Sequence, residues 1–206
     1  MTIVSPYFTF PAISWWASVA KAETVLFDAA EHFQKMTWRN KYHISGANNS
    51  NKLSVPLING RNQRVPMREV NIHNESRWQT QHWRTIVSVY RRTPYFEYYE
   101  PSLQPLFEKQ FTGLIDYNKA TIQWAKNQLK FQFEEEETDT FIKNYPPDVG
   151  DLRFLKPPQT VFPRYYQVFE DRIGFLPDLS ILDLLFSEGP RAKDYLELVA
   201  ASFLGA

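Results

Sequence analysis

Two short apolar runs open the chain, and a stretch with helical character separates them. Residues 2–4 and 24–28 are rich in β-branched and apolar side chains and end at polar residues, which is typical of buried strands. Residues 12–22 follow Pro11, a residue suited to a first helical turn, and are predicted to form a helix. The three segments predict strand–helix–strand, the elementary unit of α/β proteins.

The following segment is predicted to add more strands. Residues 37–45 are aromatic and β-branched, and the polar loop 45–51 joins them to residues 52–58, so we interpret the two as a strand pair. Residues 70–72 are a candidate third strand.

Helical periodicity dominates the remainder of the chain. Trp78, His82, Ile86 and Tyr90 recur at every fourth position, which predicts a helix from Trp78 to about Arg91. Further helices are predicted over residues 101–109, 113–131, 180–186 and 192–203.

Two segments interrupt this helical part. The run Glu134–Glu137 is interpreted as a solvated surface, or as charge that neutralises basic residues within the molecule. Residues 138–163, which include Pro146-Pro147 and Pro157-Pro158, are predicted to form short extended pieces and loops.

The order of elements predicts a mixed α/β fold. It has an N-terminal strand–helix–strand and β-rich half and a mostly helical C-terminal half. A chain of 206 residues fits a single compact domain over residues 1–206, and any subdivision would fall near residues 132–163. Aromatic residues make up 16% of the chain, which suffices for a large core and argues against disorder.

Composition also bounds the compartment and the chemistry. The chain has no cysteine, which excludes disulfides, thiolate metal sites and a Cys nucleophile. No stretch approaches the ~20 apolar residues of a membrane span, and the N-terminus lacks the features of a signal peptide. We therefore predict a cytoplasmic protein with no transmembrane segment.

Charge is distributed unevenly along this neutral chain. Residues 32–92 hold 11 basic and 2 acidic residues, a net charge of +9, whereas residues 93–206 hold 11 basic and 18 acidic residues, a net charge of −7. Such segregation predicts a positive surface for an anionic ligand or for an acidic partner within the molecule.

The common cofactor and metal signatures are missing. The sequence has no phosphate-binding P-loop, no dinucleotide fingerprint and no G-x-S-x-G elbow. Its four histidines lack the spacing of a zinc site. No cofactor and no metal are predicted.

The densest candidate constellation is Lys35-x-x-Trp38-Arg39-Asn40-Lys41. Arginine and lysine bind phosphate or carboxylate, and a neighbouring tryptophan can stack on a sugar or a base. If the segment is extended, Trp38 and Asn40 share one face and Arg39 and Lys41 the other. The alternative is a half-buried strand with a core tryptophan and solvated cations.

Three further residues are candidates. Asp28 would end the second strand, where open parallel sheets place ligand sites, and the favoured alternative is an aspartate that caps a turn. His82, on an apolar helix face, is a potential general base or a hydrogen-bonded core residue. Glu188 adjoins a Gly-Pro turn, whereas the capping-box spacing of Ser180 and Asp183 explains those two without function.

Several weak motifs occur together in a specific order. They are Tyr7-Phe8 with Pro11, Phe27-Asp28, Phe33-x-Lys35-x-x-Trp38-Arg39-Asn40, Leu53-Ser54-Val55-Pro56, Trp78-x-x-x-His82-Trp83-x-x-Ile86-x-x-x-Tyr90, Pro94-Tyr95-Phe96, Tyr166-Gln167-Val168-Phe169 and the segment from Leu179 to Pro190. This ordered set resembles the WbqC-like family of bacterial proteins over about residues 5–190.

The resemblance implies a role in surface-polysaccharide biosynthesis. Family members occur in gene clusters for polysaccharides such as O-antigen, and some carry a provisional label as glycine transferases. The implied chemistry is acyl or aminoacyl transfer to an amino group on a sugar. The chain departs from the family at Lys41, Phe10 and Asp178, where members often have Arg, Pro and Asn.

Two hypotheses follow. In the first, a transferase acts on a small anionic, nucleotide-linked or lipid-linked amino sugar with an acyl or aminoacyl donor, and forms no stable nucleic acid complex. His82 or Asp28 would accept a proton, and the substrate-binding residues would be Lys35, Trp38, Arg39, Asn40 and Glu188. In the second, a non-catalytic binding or assembly protein docks an anionic partner on its basic face.

Overall fold

The chain begins with the predicted parallel strand–helix–strand unit. The computed structural model describes residues 1–154 and 162–203, without the side chain of Arg61. Strand β1 (Thr2–Ser5), helix α1 (Ile13–Val19) and strand β2 (Thr24–Phe27) follow one another, and β1 pairs with β2 in parallel from Thr2 opposite Thr24 to Ser5 opposite Phe27. The mixed α/β prediction is thereby confirmed, with a helix shorter than the predicted residues 12–22.

An antiparallel pair comes next, but it is shorter than predicted. Strand β3 (Lys41–Ile44) pairs with strand β4 (Asn51–Ser54). The prediction that residues 37–40 are extended within this strand is wrong. Two backbone carbonyls of this segment accept hydrogen bonds from Thr9 and not from the neighbouring strand. Thr9 donates from its N–H to the Trp38 carbonyl and from its hydroxyl to the Arg39 carbonyl. The predicted strand at residues 70–72 is reduced to isolated bridges.

Four helices follow the hairpin. They are α2 (Trp78–Tyr90), α3 (Phe96–Leu103), α4 (Pro105–Glu108) and α5 (Leu114–Leu129). The predicted single helix over residues 101–109 is wrong, since Pro101 lies inside α3 and Pro105 opens α4. A proline suits the first turn of a helix, and the prediction places the start at Pro101, whereas α4 begins at Pro105.

The sheet is completed from the C-terminal half of the chain. Strand β5 (Glu134–Glu137) and strand β6 (Gly150–Asp151) flank the first two strands in the order β5-β2-β1-β6, all parallel. The acidic run is exposed, as predicted, but it also forms an edge strand. Four identical side chains carry no alternation of period two, so the pattern could not reveal this strand.

The last elements are helical. They are α6 (Glu170–Ile173), α7 (Ile181–Glu188) and α8 (Ala192–Phe203). Ser180 caps α7 as predicted, by accepting a hydrogen bond from the Leu182 N–H. Helix α8 packs against α1, so the end of the chain covers its beginning. Pro157-Pro158 lies outside the described residues.

A single aromatic-rich core joins these parts. Trp15 and Trp16 of α1 are fully buried, with ring centroids 4.8 Å apart in an edge-to-face arrangement. Phe10 is also fully buried and contacts the rings of Tyr42, Phe107, Tyr117 and Trp124. Across the described ranges, no helix combines the length and the apolar character needed to cross a membrane.

Candidate functional site

Three loop segments that are far apart in sequence meet around one pocket. A cavity of about 370 Å³ is lined by residues 9–12, by Trp38 with residues 41–43, by Pro177, Asp178 and Ser180, and by Phe162. Backbone hydrogen bonds fasten the segments to each other: Ser180 N–H donates to the His43 carbonyl at 2.8 Å, and Ile181 N–H donates to the Pro11 carbonyl at 3.0 Å. These main-chain contacts hold the segments of the pocket wall together.

Asp178 contributes a partly buried carboxyl group to this pocket. Its Oδ1 accepts a hydrogen bond from the Ser14 N–H at 2.7 Å, and its Oδ2 accepts one from the Ser14 hydroxyl at 2.9 Å. The backbone of Asp178 has a φ of 56°, in the left-handed region that aspartate and asparagine tolerate better than most residues. Asparagine at this position would tolerate the same conformation.

Burial changes the acidity of this group. It raises the pKa of Asp178 to about 6, although the two hydrogen bonds from Ser14 oppose the rise. A carboxyl group with such a pKa exchanges protons near neutral pH, and it can accept a hydrogen bond in either protonation state.

The β3 hairpin supplies a cation and an imidazole. Lys41 and His43 alternate with the buried residues Tyr42 and Ile44, so the two polar side chains share the less buried face of β3. Both line the pocket. Burial lowers the pKa of His43, and the positive charges of Lys52 and Lys41 lower it further. The imidazole is therefore neutral at neutral pH and able to accept a proton.

Trp38 is the residue of the predicted constellation that reaches the pocket beside Lys41. Its ring is half-buried and meets Phe8 edge-to-face, with the centroids 6.1 Å apart. A partly open indole of this kind offers a flat apolar surface to a sugar or a base.

Arg39 and Asn40 point into the protein interior instead. The Arg39 guanidinium is 1% exposed and donates from Nε and Nη2 to the two carboxylate oxygens of Glu31 at 2.7 and 2.6 Å. Burial raises the pKa of Glu31 despite this pairing. Asn40 Nδ2 donates to the Val55 carbonyl at 2.9 Å. Both residues brace the segment that carries Trp38.

Lys35 and Glu188 lie away from the pocket lining. Lys35 is exposed and borders a different depression together with Arg64. Glu188 is at the opposite end of α7 from Ser180, and it pairs with Arg191 at 3.1 Å.

His82 is a core residue next to the pocket wall. Its Nδ1 lies 3.0 Å from the Tyr42 hydroxyl, and Tyr42 in turn lines the pocket. Burial lowers the pKa of His82 to about 4, so the ring is neutral at pH 7. The structure thus places a tyrosine side chain between His82 and the cavity.

Asp28 directly follows β2 at the carboxyl edge of the parallel sheet, as the sequence predicts. Its oxygens accept hydrogen bonds from the Glu31 N–H at 2.9 Å, the Thr138 hydroxyl at 2.9 Å and Arg153 Nη1 at 3.0 Å. Arg153 also pairs with Asp151, the last residue of β6, which lies next to β1 in the sheet. A buried ion-pair network therefore occupies the edge where comparable sheets bind ligands.

The basic side chains do not share one depression. Arg39 is paired internally, Lys41 lines the pocket, and Lys35 and Arg64 border a second depression. Arg84, Arg91 and Arg92 line a third. Charge segregation along the sequence is therefore not matched by a single positive surface.

Sequence reasoning missed two pocket residues and one buried acid. His43 and Asp178 lack a motif of their own, and only the substitution at the Asn position of the last motif drew attention to Asp178. Asp183 accepts hydrogen bonds from the hydroxyls of Tyr90 and Tyr165 at 2.5 and 2.7 Å, so its carboxylate does not serve the predicted capping box. In the part of the chain that the structure describes, no three His, Asp or Glu side chains are grouped as metal ligands.

Comparisons with known proteins agree with the resemblance. The chain is similar to a protein of Mycobacterium tuberculosis (strain ATCC 25618 / H37Rv) that bears the name uncharacterized protein Rv1507c. The two are 24% identical over 206 positions, which cover 84% of this chain and 87% of the mycobacterial protein. No solved structure matches the chain. The model of the WbqC-like protein family matches residues 6–148, which is more than half of the sequence, and the chain belongs to that family.

Proposed function

We propose that the protein is a transferase that moves an acyl or aminoacyl group, such as glycine, onto the amino group of a sugar in surface-polysaccharide biosynthesis. One observation carries the proposal: a single pocket combines an aromatic ring, a cation, a neutral imidazole and a carboxyl group. The aromatic ring can pack against the sugar, and the cation can bind its negatively charged group. The carboxyl group can accept a hydrogen bond from the sugar amino group, and the imidazole can take the proton that this amino group loses. Membership of the WbqC-like family supports the choice of substrate class.

Three residues would contact the sugar. Trp38 packs against the apolar face of the ring, and Lys41 lies beside its phosphate or carboxylate. Asp178 accepts a hydrogen bond from the sugar amino group, a role that Asn would also perform in other family members. The Asp178 carboxyl group is held by hydrogen bonds from the N–H and the hydroxyl of Ser14, so this acceptor is in place before the substrate arrives.

His43 would perform the proton transfer. The sugar nitrogen attacks the acyl carbonyl carbon, a C–N bond forms, and the bond from that carbon to the leaving oxygen or sulfur breaks. His43 takes the proton that the nitrogen loses and returns it to the leaving group, so the products are an amide and a free alcohol or thiol. The geometry favours His43 over His82 and Asp28 for this step, because neither of the latter lines the pocket.

The other predicted substrate-binding residues would not contact the part of the substrate that lies inside the pocket. The Arg39–Glu31 pair and the Asn40–Val55 contact hold the two residues that directly follow Trp38. Lys35 and Glu188 would contact only substrate parts that extend out of the pocket.

Binding and turnover can be tested separately. A thermal-shift screen of nucleotide-linked amino sugars and acyl donors identifies a ligand, since a ligand at 100 times its Kd adds about 2.7 kcal/mol to stability. Mass spectrometry of mixtures of the hits then detects the acylated sugar. We expect His43→Gln to keep the thermal shift and to lower kcat by roughly 100-fold or more.

Lys52→Gln is the matched control. Lys52 pairs across the hairpin with His43 but does not line the pocket, so turnover should persist with a modest upward move of the pH profile. A His43→Gln variant with full turnover would refute the assigned role. Ligand binding without any product, from any donor in the screen, would instead support a non-catalytic binding protein.

A further inference from the structure

A second depression lies beside α2 and has no role in the pocket chemistry. It has a volume of about 590 Å³ and is lined by two kinds of side chain. Its charged residues are Arg84, Arg91 and Arg92, and its apolar residues include Trp83, Val87, Val168 and Phe169. We refer to it as the arginine groove.

The three arginines carry unneutralised charge. All three are exposed, and within residues 1–154 and 162–203 their guanidinium groups form no ion pair, hydrogen bond or ring contact. Residues 155–161 and 204–206 contain no Asp or Glu side chain that could pair with them. Glu170 follows Phe169 directly in the sequence, but it is already paired with Arg164 at 2.9 Å. Among the described residues, the groove therefore holds three arginines with no acidic partner, which favours an anionic ligand.

The positions of the arginines indicate an anion with more than one charged group. Successive helical residues turn by 100°, so Arg84, Ser88 and Arg91 fall on one face of α2 and its C-cap. Arg84 and Arg91 are seven residues apart, which corresponds to a rise of roughly 10 Å. A single phosphate contacts one end of this row, whereas two or more phosphates can contact both.

The apolar lining indicates that the anion carries a flat or apolar part. Trp83 is partly buried, and its ring stacks on Phe96 with the centroids 6.1 Å apart, which fixes its orientation. Phe169 borders the same groove from the segment before α6. Aromatic rings beside arginines are the arrangement with which proteins hold a base and its phosphates.

We propose that the arginine groove binds a nucleotide with at least two phosphate groups. A nucleic acid helix fits less well, because it requires an extended basic surface and the other described cations lie in different depressions. An acidic protein segment would neutralise the arginines but would leave the aromatic lining uncovered. The proposal does not depend on catalysis in the pocket.

Isothermal titration calorimetry with ADP tests the site, and inorganic pyrophosphate serves as the probe that lacks a base. We expect ADP to bind more tightly than pyrophosphate, and both to weaken as salt is raised. The triple variant Arg84→Gln/Arg91→Gln/Arg92→Gln should lower ADP affinity by roughly 100-fold or more. Trp83→Leu should weaken ADP but not pyrophosphate.

Arg77→Gln is the control, because Arg77 precedes the same helix and is exposed but does not line the groove. His43→Gln should leave ADP affinity unchanged, and the triple Gln variant should retain the thermal shift from a pocket ligand, so the two proposals fail independently. Unchanged ADP affinity in the triple variant, or equal affinity for ADP and pyrophosphate, would overturn the nucleotide site. So would tight binding of polyglutamate with no binding of ADP, which would indicate an acidic protein partner.

Discussion

Asp178 caps helix α1 from 164 residues further along the chain, through hydrogen bonds from the N–H and the hydroxyl of Ser14. The residue at the normal cap position, Ala12, has no side chain that can accept a hydrogen bond, and none caps the helix there. One contact therefore closes the first helix and places a carboxyl group in the pocket. A substitution at Asp178 would therefore change both the capping of α1 and the lining of the pocket.

Substitutions at Asp178 should separate these two effects. Asp178→Gly keeps the left-handed backbone but removes both hydrogen bonds, and we expect it to lower the free energy of unfolding by about 1–2 kcal/mol. Asp178→Asn tolerates the same backbone and retains an acceptor for the Ser14 N–H, so it should lose less than half as much. Urea denaturation measures both. Equal losses would show that the cap contributes little.

The Arg39–Glu31 pair should behave as a buried ion pair. Arg39→Met leaves Glu31 buried without its partner, which we expect to cost about 3–5 kcal/mol of unfolding free energy. The double variant Arg39→Met/Glu31→Met removes the stranded charge and should recover much of that loss. A double-mutant cycle from urea denaturation gives the coupling energy. Additive losses from the two single variants would contradict a coupled pair.

His82 should make the fold sensitive to mild acid. Its pKa is about 4 in the folded protein and near 6.5 when unfolded, so the unfolded chain binds the extra proton between these values. Stability should therefore fall as the pH drops from about 6.5 to 4, by on the order of 3 kcal/mol. His82→Gln should remove this part of the pH dependence. The free energy of unfolding of each protein at pH 8 is the reference for the comparison. An identical slope in the variant would exclude His82 as its source.

Asp183 should contribute a slope of the opposite sign. Burial raises its pKa to about 6 even though Tyr90 and Tyr165 donate to it, so the folded protein binds a proton more tightly than the unfolded chain. Its contribution is favourable below about pH 4 and is lost as the pH rises through 6. Relative to the wild type, Asp183→Asn should therefore become more stable as the pH rises from 4 to 7. A difference between the two that stays constant over this range would contradict the assignment.

Short-range patterns in the sequence predicted secondary-structure elements, but they did not predict which distant residues contact each other. The strand–helix–strand unit, α2, α7 and α8 were predictable because apolar periodicity and caps are short-range properties. The position of Asp28 at a strand end was predictable for the same reason. Its partner Arg153 was not, because the two residues are 125 positions apart and meet only when the sheet has assembled.

The candidate site was predictable in part for a related reason. Trp38 and Lys41 stood out as an aromatic residue among cations, and they do line the pocket. Arg39 has the same sequence signal but faces Glu31, since a buried carboxylate eight residues away decides its direction. His43 and Asp178 carry no local signal, and the pocket that unites them arises from contacts between three distant loops.

The run Glu134–Glu137 has a further consequence as the outermost strand of the sheet. Its backbone pairs with β2 on one side, and among the described strands none covers the other. Glu137 and Glu135 form ion pairs with Lys119 and Lys126, whereas Glu134 and Glu136 form none among the described residues. The negative charge that remains at neutral pH repels the same strand of a second molecule and so protects the unpaired backbone amides and carbonyls. Strong acid discharges the carboxylates, and self-association into fibrils or precipitates then becomes the expected fate of concentrated solutions.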